Sequence, residues 1–309
     1  MRIYVGVTDR DWYEFLYARP GIDEVNFWQP SGGRRFGALT PGDLFLFKLH
    51  YPANAIVGGG TFVSFDSFPA WLVWDAFQEK NGASSYEEMC RRIERYRGST
   101  MSLAGMEPVG CIILTDPFFF NEPEAIPAPA NWSKNIVQGK TYGDDSPEGA
   151  RMLMQVTARR SGLGVAEGPH GAASDLPMFS EPILSRRRLG QGAFRLLVVD
   201  AYGRKCAVSG EKALPVLQSA HIRPVTQGGQ HRIDNGLLLR SDIHTLFDRG
   251  YVTITPAGQF RASRRLKADY DNGEPYYALE SRPVTLPTDV SDQPARTFLE
   301  WHNSEVFLG

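Results

Sequence analysis

Cysteine is scarce in this sequence: Cys90, Cys111 and Cys206 are the three among 309 residues, and none belongs to a CxxC pair. That excludes a disulfide framework and a zinc knuckle built on cysteines. Long apolar runs are missing as well, nothing exceeding the length of a buried strand, so no membrane-spanning helix is expected. The start, "MRIYVGVTDRDW", reads as a strand and lacks the basic segment and cleavable apolar stretch of a leader, so a cytoplasmic protein is expected. Acidic tails, basic arms and internal repeats are also absent. The net charge of −2 hides an asymmetry, because residues 1–150 hold 13 of the 33 Lys+Arg and 19 of the 35 Asp+Glu. The first half therefore stands at about −6 and the remainder at about +4, a mildly basic half that permits polyanion binding without demanding it.

What is present falls into two parts, as the length favours. Ser161 to Ser180, "SGLGVAEGPHGAASDLPMFS", is rich in Gly, Ala, Ser and Pro and has no apolar period, which marks a linker. We place it within 156–185, between a first domain at 1–155 and a second at 186–309. In the first, β-like runs such as "RIYVGV", "GDLFLFKLH", "IVGGGTFVSF" and "GCIILTDPFFF" alternate with the helical patches "DRDWYEFLYAR" and "SYEEMCRRIERYR". An α+β fold with a curved sheet or partly open barrel is expected there. In the second, Gln191 to Asp200 reads as a helix and "KCAVSG" as a short strand. "QSAHIRPV" then reads as strand, "TQGGQHRIDN" as loop, "GLLLR" as strand and "SDIHTLFDRG" as helix, with Ser241 as N-cap and Gly250 in the C′ position.

That last segment concentrates chemistry. His244 and Asp248 are four apart on the expected helix, so both project from one face and suit two ligands of a single divalent ion. His221 comes from the preceding hairpin, and a helix packed across it would bring an imidazole beside those ligands. Metal-assisted phosphodiester hydrolysis needs such a pairing: a base for the water proton and a cation for the developing charge. Arg223, Arg232 and Arg240 flank the segment and Arg186 to Arg188 precede it, all candidate phosphate contacts.

"AHIRP", "DNGLLLR" and "IHTLFDRG", with the upstream "RLGQGAFR" and "YGRKCAVSG", resemble the HNH nucleases with a ββα-metal finger. The resemblance implies His221 as general base, Asn235 as the residue that pins the loop and orients His221, His244 as a catalytic metal ligand and Asp248 as a second one. It implies Mg²⁺ or Mn²⁺ as cofactor, with no structural zinc. Many members carry Asp or His immediately before the base, where this chain has Ala220, so the ligand set departs from the family pattern.

The first domain, with "VNFWQPSGGRRFGALTPGDLFLFKLH" and a glycine-rich strand, resembles the PUA-like superfamily of EVE, YTH, ASCH and SRA domains. That resemblance implies a flipped, modified base held in an aromatic pocket, and an arrangement like that of modification-dependent restriction endonucleases. A flipped base needs a stacking surface and a hydrogen-bonding edge. Trp28, Trp71, Trp74 and Trp132 are the candidates for the first, and Gln29, Asp116 and Asn131 for the second, with Trp28 favoured because it adjoins a Pro/Gly loop. The expected partner is double-stranded DNA carrying methylcytosine or hydroxymethylcytosine, cut by a homodimer. The alternatives are a nuclease on RNA or unmodified DNA, and a non-catalytic nucleic-acid-binding protein.

Overall fold

The structure, a computed structural model, describes residues 1–33, 35–102, 104–161, 189–280 and 282–309. Most of the expected linker and Arg186 to Arg188 lie outside the described residues. The chain divides into two compact units, Met1–Leu184 and Ser185–Gly309.

The first unit is organised by period-two burial. β1 (Arg2–Thr8) is followed by α1 (Arg10–Tyr17) and β2 (Glu24–Gln29), then by β3 (Leu44–Leu49), whose sequence LFLFKL is buried throughout. Phe45, Phe47 and Leu49 face one core with Trp12, Tyr13 and Leu16 of α1, while Leu44 and Leu46 face a second core with Ile3 and Val5 of β1. A strand apolar at successive positions is one covered on both sides. The 15-residue β4 (Ala55–Pro69) leads through α2 (Ala70–Phe77) and α3 (Tyr86–Arg97) to β5 (Pro108–Phe119), β6 (Ile126–Pro127), β7 (Gly139–Gly143) and α4 (Pro147–Arg160). The strands form one sheet in the order β2-β5-β4-β3-β1-β7, with β6 on β4, and only the β1–β3 pairing is parallel. Register shifts within β4 bend it, as bulges do. Glycine is required there: a Cβ at Gly59 would lie 2.5 Å from the Phe45 carbonyl oxygen. α4 crosses the expected boundary at 155, and both Met152 and Val156 are buried in the second core.

The second unit runs α5 (Gln191–Ala201), β8 (Leu217–His221), β9 (Gly236–Arg240), α6 (Ser241–Asp248), β10 (Val252–Ile254), β11 (Phe260–Ala262), α7 (Arg265–Tyr270), α8 (Glu274–Tyr277) and α9 (Arg296–Glu305). β8 and β9 form an antiparallel hairpin in which His221 pairs with Gly236, and β10 and β11 form another. Two local expectations are corrected. "KCAVSG" is a turn, because Cys206 N–H bonds Glu211 O and Ala207 N–H bonds Leu238 O instead of entering a ladder. Arg240, not Ser241, caps α6, since β9 runs directly into the helix and Ser241 takes its first helical position. Gly250 sits one residue past the C-cap Arg249 with φ 77°, where a Cβ would meet Val306 O at 2.1 Å.

His302 of α9 locks that packing. Its ring stacks on Phe247 at 3.6 Å, its Nε2–H donates to Phe247 O at 3.0 Å, and Thr253 Oγ donates to its Nδ1 at 2.8 Å. Burial pulls its pKa from 6.5 down to about 4, so the neutral form is the folded one. The stability it contributes is present above the unfolded-state pKa of 6.5 and is lost as pH falls through about 4, on the order of 3 kcal/mol in all. Urea midpoints at pH 7 and pH 4.5 are expected to differ less in His302→Phe, which keeps the stack without the titration, than in the parent.

Candidate active site

His221 ends β8 and is held on three sides. Its ring stacks on Phe194 of α5 at 4.0 Å, its Nε2 lies 3.0 Å from Nδ1 of His231, and its backbone is paired in the hairpin. Burial first, then the imidazoles of His231 and His244, pull its pKa from 6.5 to about 4, so the ring is neutral and able to accept a proton at neutral pH. A negatively charged phosphodiester beside it would raise its proton affinity toward the working range.

Asn235 is fully buried and spends its side chain on the loop that follows β8. Its Oδ1 accepts from Arg223 N–H at 2.9 Å, and its Nδ2 donates to Arg223 O and Gln230 O, both at 2.9 Å. The Ile222 N–H in turn donates to the Asn235 carbonyl at 2.9 Å. One carboxamide thus closes the loop from 223 to 235 and carries His231 back onto His221.

Successive residues of a strand face opposite ways. Ser219 Oγ donates to Arg195 O on the α5 side, whereas Gln218 reaches α6, where its Oε1 lies 2.7 Å from Nδ1 of His244. Ala220, buried, shares the Gln218 face and offers only a methyl group. Gln218 is an acceptor there, so His244 carries its proton on Nδ1 and turns the Nε2 lone pair outward, 3.3 Å from Asp248 Oδ2. Two ligands each about 2.1 Å from a cation and roughly at right angles lie about 3 Å apart, so the pair has the bite of a divalent-ion site. Burial lowers the proton affinity of His244, keeping it in the ligating form. Burial also pushes the Asp248 carboxyl up against the pull of His244, although its side chain remains 55% exposed to water. No group of three or more His, Cys, Asp or Glu side chains converges on one point among the described residues.

The arginines divide. Arg232 is bound by Asp234 and Arg240 by Asp242, so both guanidinium groups already hold a carboxylate. Arg223 donates its Nε to Gln227 O and lies 5.2 Å over the Trp301 ring, without a carboxylate partner among the described residues. It is the better placed of the three for a phosphate.

In the first unit a cavity of about 630 Å³ is lined by Tyr4, Trp12, Phe27, Trp28 and Gln29, among others. Trp12 and Trp28 both donate their indole N–H to Asn81 O at 3.1 Å, which fixes both rings in the lining. The other base-pocket candidates lie elsewhere. Trp71 and Trp74 are half-buried on α2, the latter 6.5 Å from Tyr86. Trp132 packs against the second core beneath Lys48, and Asn131 accepts from Tyr142 Oη. Asp116 is an exposed bulge residue with φ 49°. Two neighbours escaped the sequence reading: Gln218, findable from its period-two relation to Ala220, and Phe194, which only the folded helix brings to His221; His231, which reads in the sequence as a solvent-facing loop residue or a phosphate contact, lies against His221 instead.

Residues 206–255 match the family model described as HNH endonuclease. Among solved structures, ASCH from Zymomonas mobilis is 11% identical, with a TM-score of 0.34, covering 50% of this chain and 94% of that one. The modification-dependent TagI restriction endonuclease is 14% identical, with a TM-score of 0.27, covering 93% of this chain and 77% of that one. No curated protein matches. The hairpin that presents His221, the helix that presents His244 and the family match over the same segment make the second unit the carrier of an HNH endonuclease domain, the module of a metal-dependent nuclease.

Proposed function

We propose that the protein is a modification-dependent DNA endonuclease whose first unit receives a flipped modified cytosine and whose second unit hydrolyses a nearby phosphodiester. The observation that carries the reading is the aromatic-walled cavity of about 630 Å³ in the same chain as the nuclease hairpin. A cavity of that size exceeds a pyrimidine ring and leaves space for a substituent.

In the nuclease unit His221 takes the proton of the attacking water, held by the stack on Phe194 and by His231. Asn235 fixes the loop, and Arg223 orients a backbone phosphate. His244 and Asp248 would hold Mg²⁺ or Mn²⁺, which supplies charge stabilisation to the phosphorane and the leaving oxygen. Gln218 keeps His244 in the ligating tautomer, the role of an outer partner in metal sites. One such site cuts one strand, so a double-strand break calls for two copies of the chain.

Binding tests the reading without the chemistry. The His221→Ala protein is expected to hold duplexes containing hydroxymethylcytosine or methylcytosine about tenfold or more tighter than the unmodified duplex, and Trp28→Ala to erase that preference. Equal affinity for all duplexes before Trp28 is altered would refute it.

A further inference from the structure

Asp9 occupies the N-cap position of α1 with an extended backbone, φ −80° and ψ 149°, yet its side chain makes no capping hydrogen bond. Aspartate is among the best N-cap residues, and turning its carboxylate away forgoes a stabilising contact with the first helical N–H groups. The carboxylate lines the aromatic cavity instead. There Oδ1 accepts from the hydroxyl of Tyr96, on α3, and lies 3.5 Å from Nε2 of His50, just after β3. Tyr96 also stands 6.4 Å, ring to ring, from Trp28. Three elements distant in sequence therefore converge to hold one carboxylate beside the stacking wall. Among the described residues both partners engage Oδ1, which leaves Oδ2 for a ligand.

We infer that Asp9 is the specificity-determining acceptor of the cavity, selecting bases that present an amino group, of the cytosine class, over bases that present a carbonyl at the same ring position. This rests on the cavity being the base-reading site. A carboxylate in its ionised form only accepts hydrogen bonds. An exocyclic amine satisfies it, whereas a uracil-type carbonyl would set two acceptors face to face in a partly desolvated site, a mismatch that rejects the wrong base strongly. Gln29, which also lines the cavity, can both donate and accept and so imposes no such choice.

The test uses the full chain carrying His221→Ala, with duplexes identical except for one hydroxymethylcytosine or one hydroxymethyluracil. The hydroxymethylcytosine duplex is expected to bind about tenfold or more tighter. With Asp9→Asn the gap is expected to close, because the carboxamide can turn its NH₂ toward a carbonyl. Thermal unfolding is expected to stay unchanged, since Asp9 does not cap α1. Trp28→Ala is measured in parallel. If Trp28→Ala abolishes the preference for modified duplexes while Asp9→Asn leaves the amine–carbonyl discrimination intact, the role of Asp9 is overturned and the cavity stands. If neither substitution changes any affinity, the cavity reading falls with it.

Discussion

His221→Ala is expected to lower the cleavage rate about 10²–10⁴-fold, the range contributed by a positioned proton acceptor, while leaving DNA affinity and the unfolding transition near those of the parent. The reasons are local. His221 ends its strand, and its partly buried side chain contacts Phe194 and His231 without carrying core weight comparable to Phe194 or Phe247, both about 1% exposed. Truncation removes the imidazole and leaves the ladder to Gly236 in place. Single-turnover cleavage and anisotropy on the same preparation check both halves. A fall in affinity matching the fall in rate would instead make His221 a binding residue.

Asn235 is expected to behave differently, with stability and activity failing together. Asn235→Ala strips partners from Arg223 N–H, Arg223 O and Gln230 O in a site with no exposure, and is expected to cost about 2–4 kcal/mol. Asn235→Asp, nearly isosteric, is the sharper variant. Its Oδ1 can still accept from Arg223 N–H, but the second oxygen then faces the two carbonyls to which Nδ2 donates. Two acceptors meeting two acceptors is worse than a small void, so Asp is expected to be no better tolerated than Ala at neutral pH. Chemical denaturation of both variants, alongside the parent, checks this. An Asp variant as stable and active as the parent would show that the loop does not depend on the carboxamide.

These residues also show why part of the architecture was legible from the chain and part was not. β8, β9 and α6 could be placed because each carries its own local signal: a proline after the first strand, an Asn-Gly step before the second, and apolar spacing with a terminal glycine on the helix. The continuous apolar run of β3 likewise marks a strand, one the structure covers on both faces. The failures are those where a tertiary partner outweighs local chemistry. Ser241 has the composition of an N-cap, but the unbroken passage from β9 gives that position to Arg240. "KCAVSG" has strand composition, yet its amides are drawn to Glu211 and Leu238. The Pro/Gly loop beside Trp28 already favours it among the four tryptophans, but only the sheet shows that Trp132 packs against the other core, away from the cavity that Trp28 lines. Asp9 occupies the N-cap position of α1, and its turn toward Tyr96 and His50 has no sequence signature at all. The absence of a carboxylate or histidine at Ala220 was visible, but not that Gln218, on the same strand face, reaches His244 from there.

The most direct test of the central claim is cleavage of four matched DNAs, containing cytosine, methylcytosine, hydroxymethylcytosine or glucosylated hydroxymethylcytosine, in Mg²⁺ or Mn²⁺, with His221→Ala as the control. The account predicts cleavage confined to modified DNA, dependent on the metal and absent from the control. Equal cleavage of all four would contradict the base-reading first unit, and cleavage that survives His221→Ala would contradict the assigned active site.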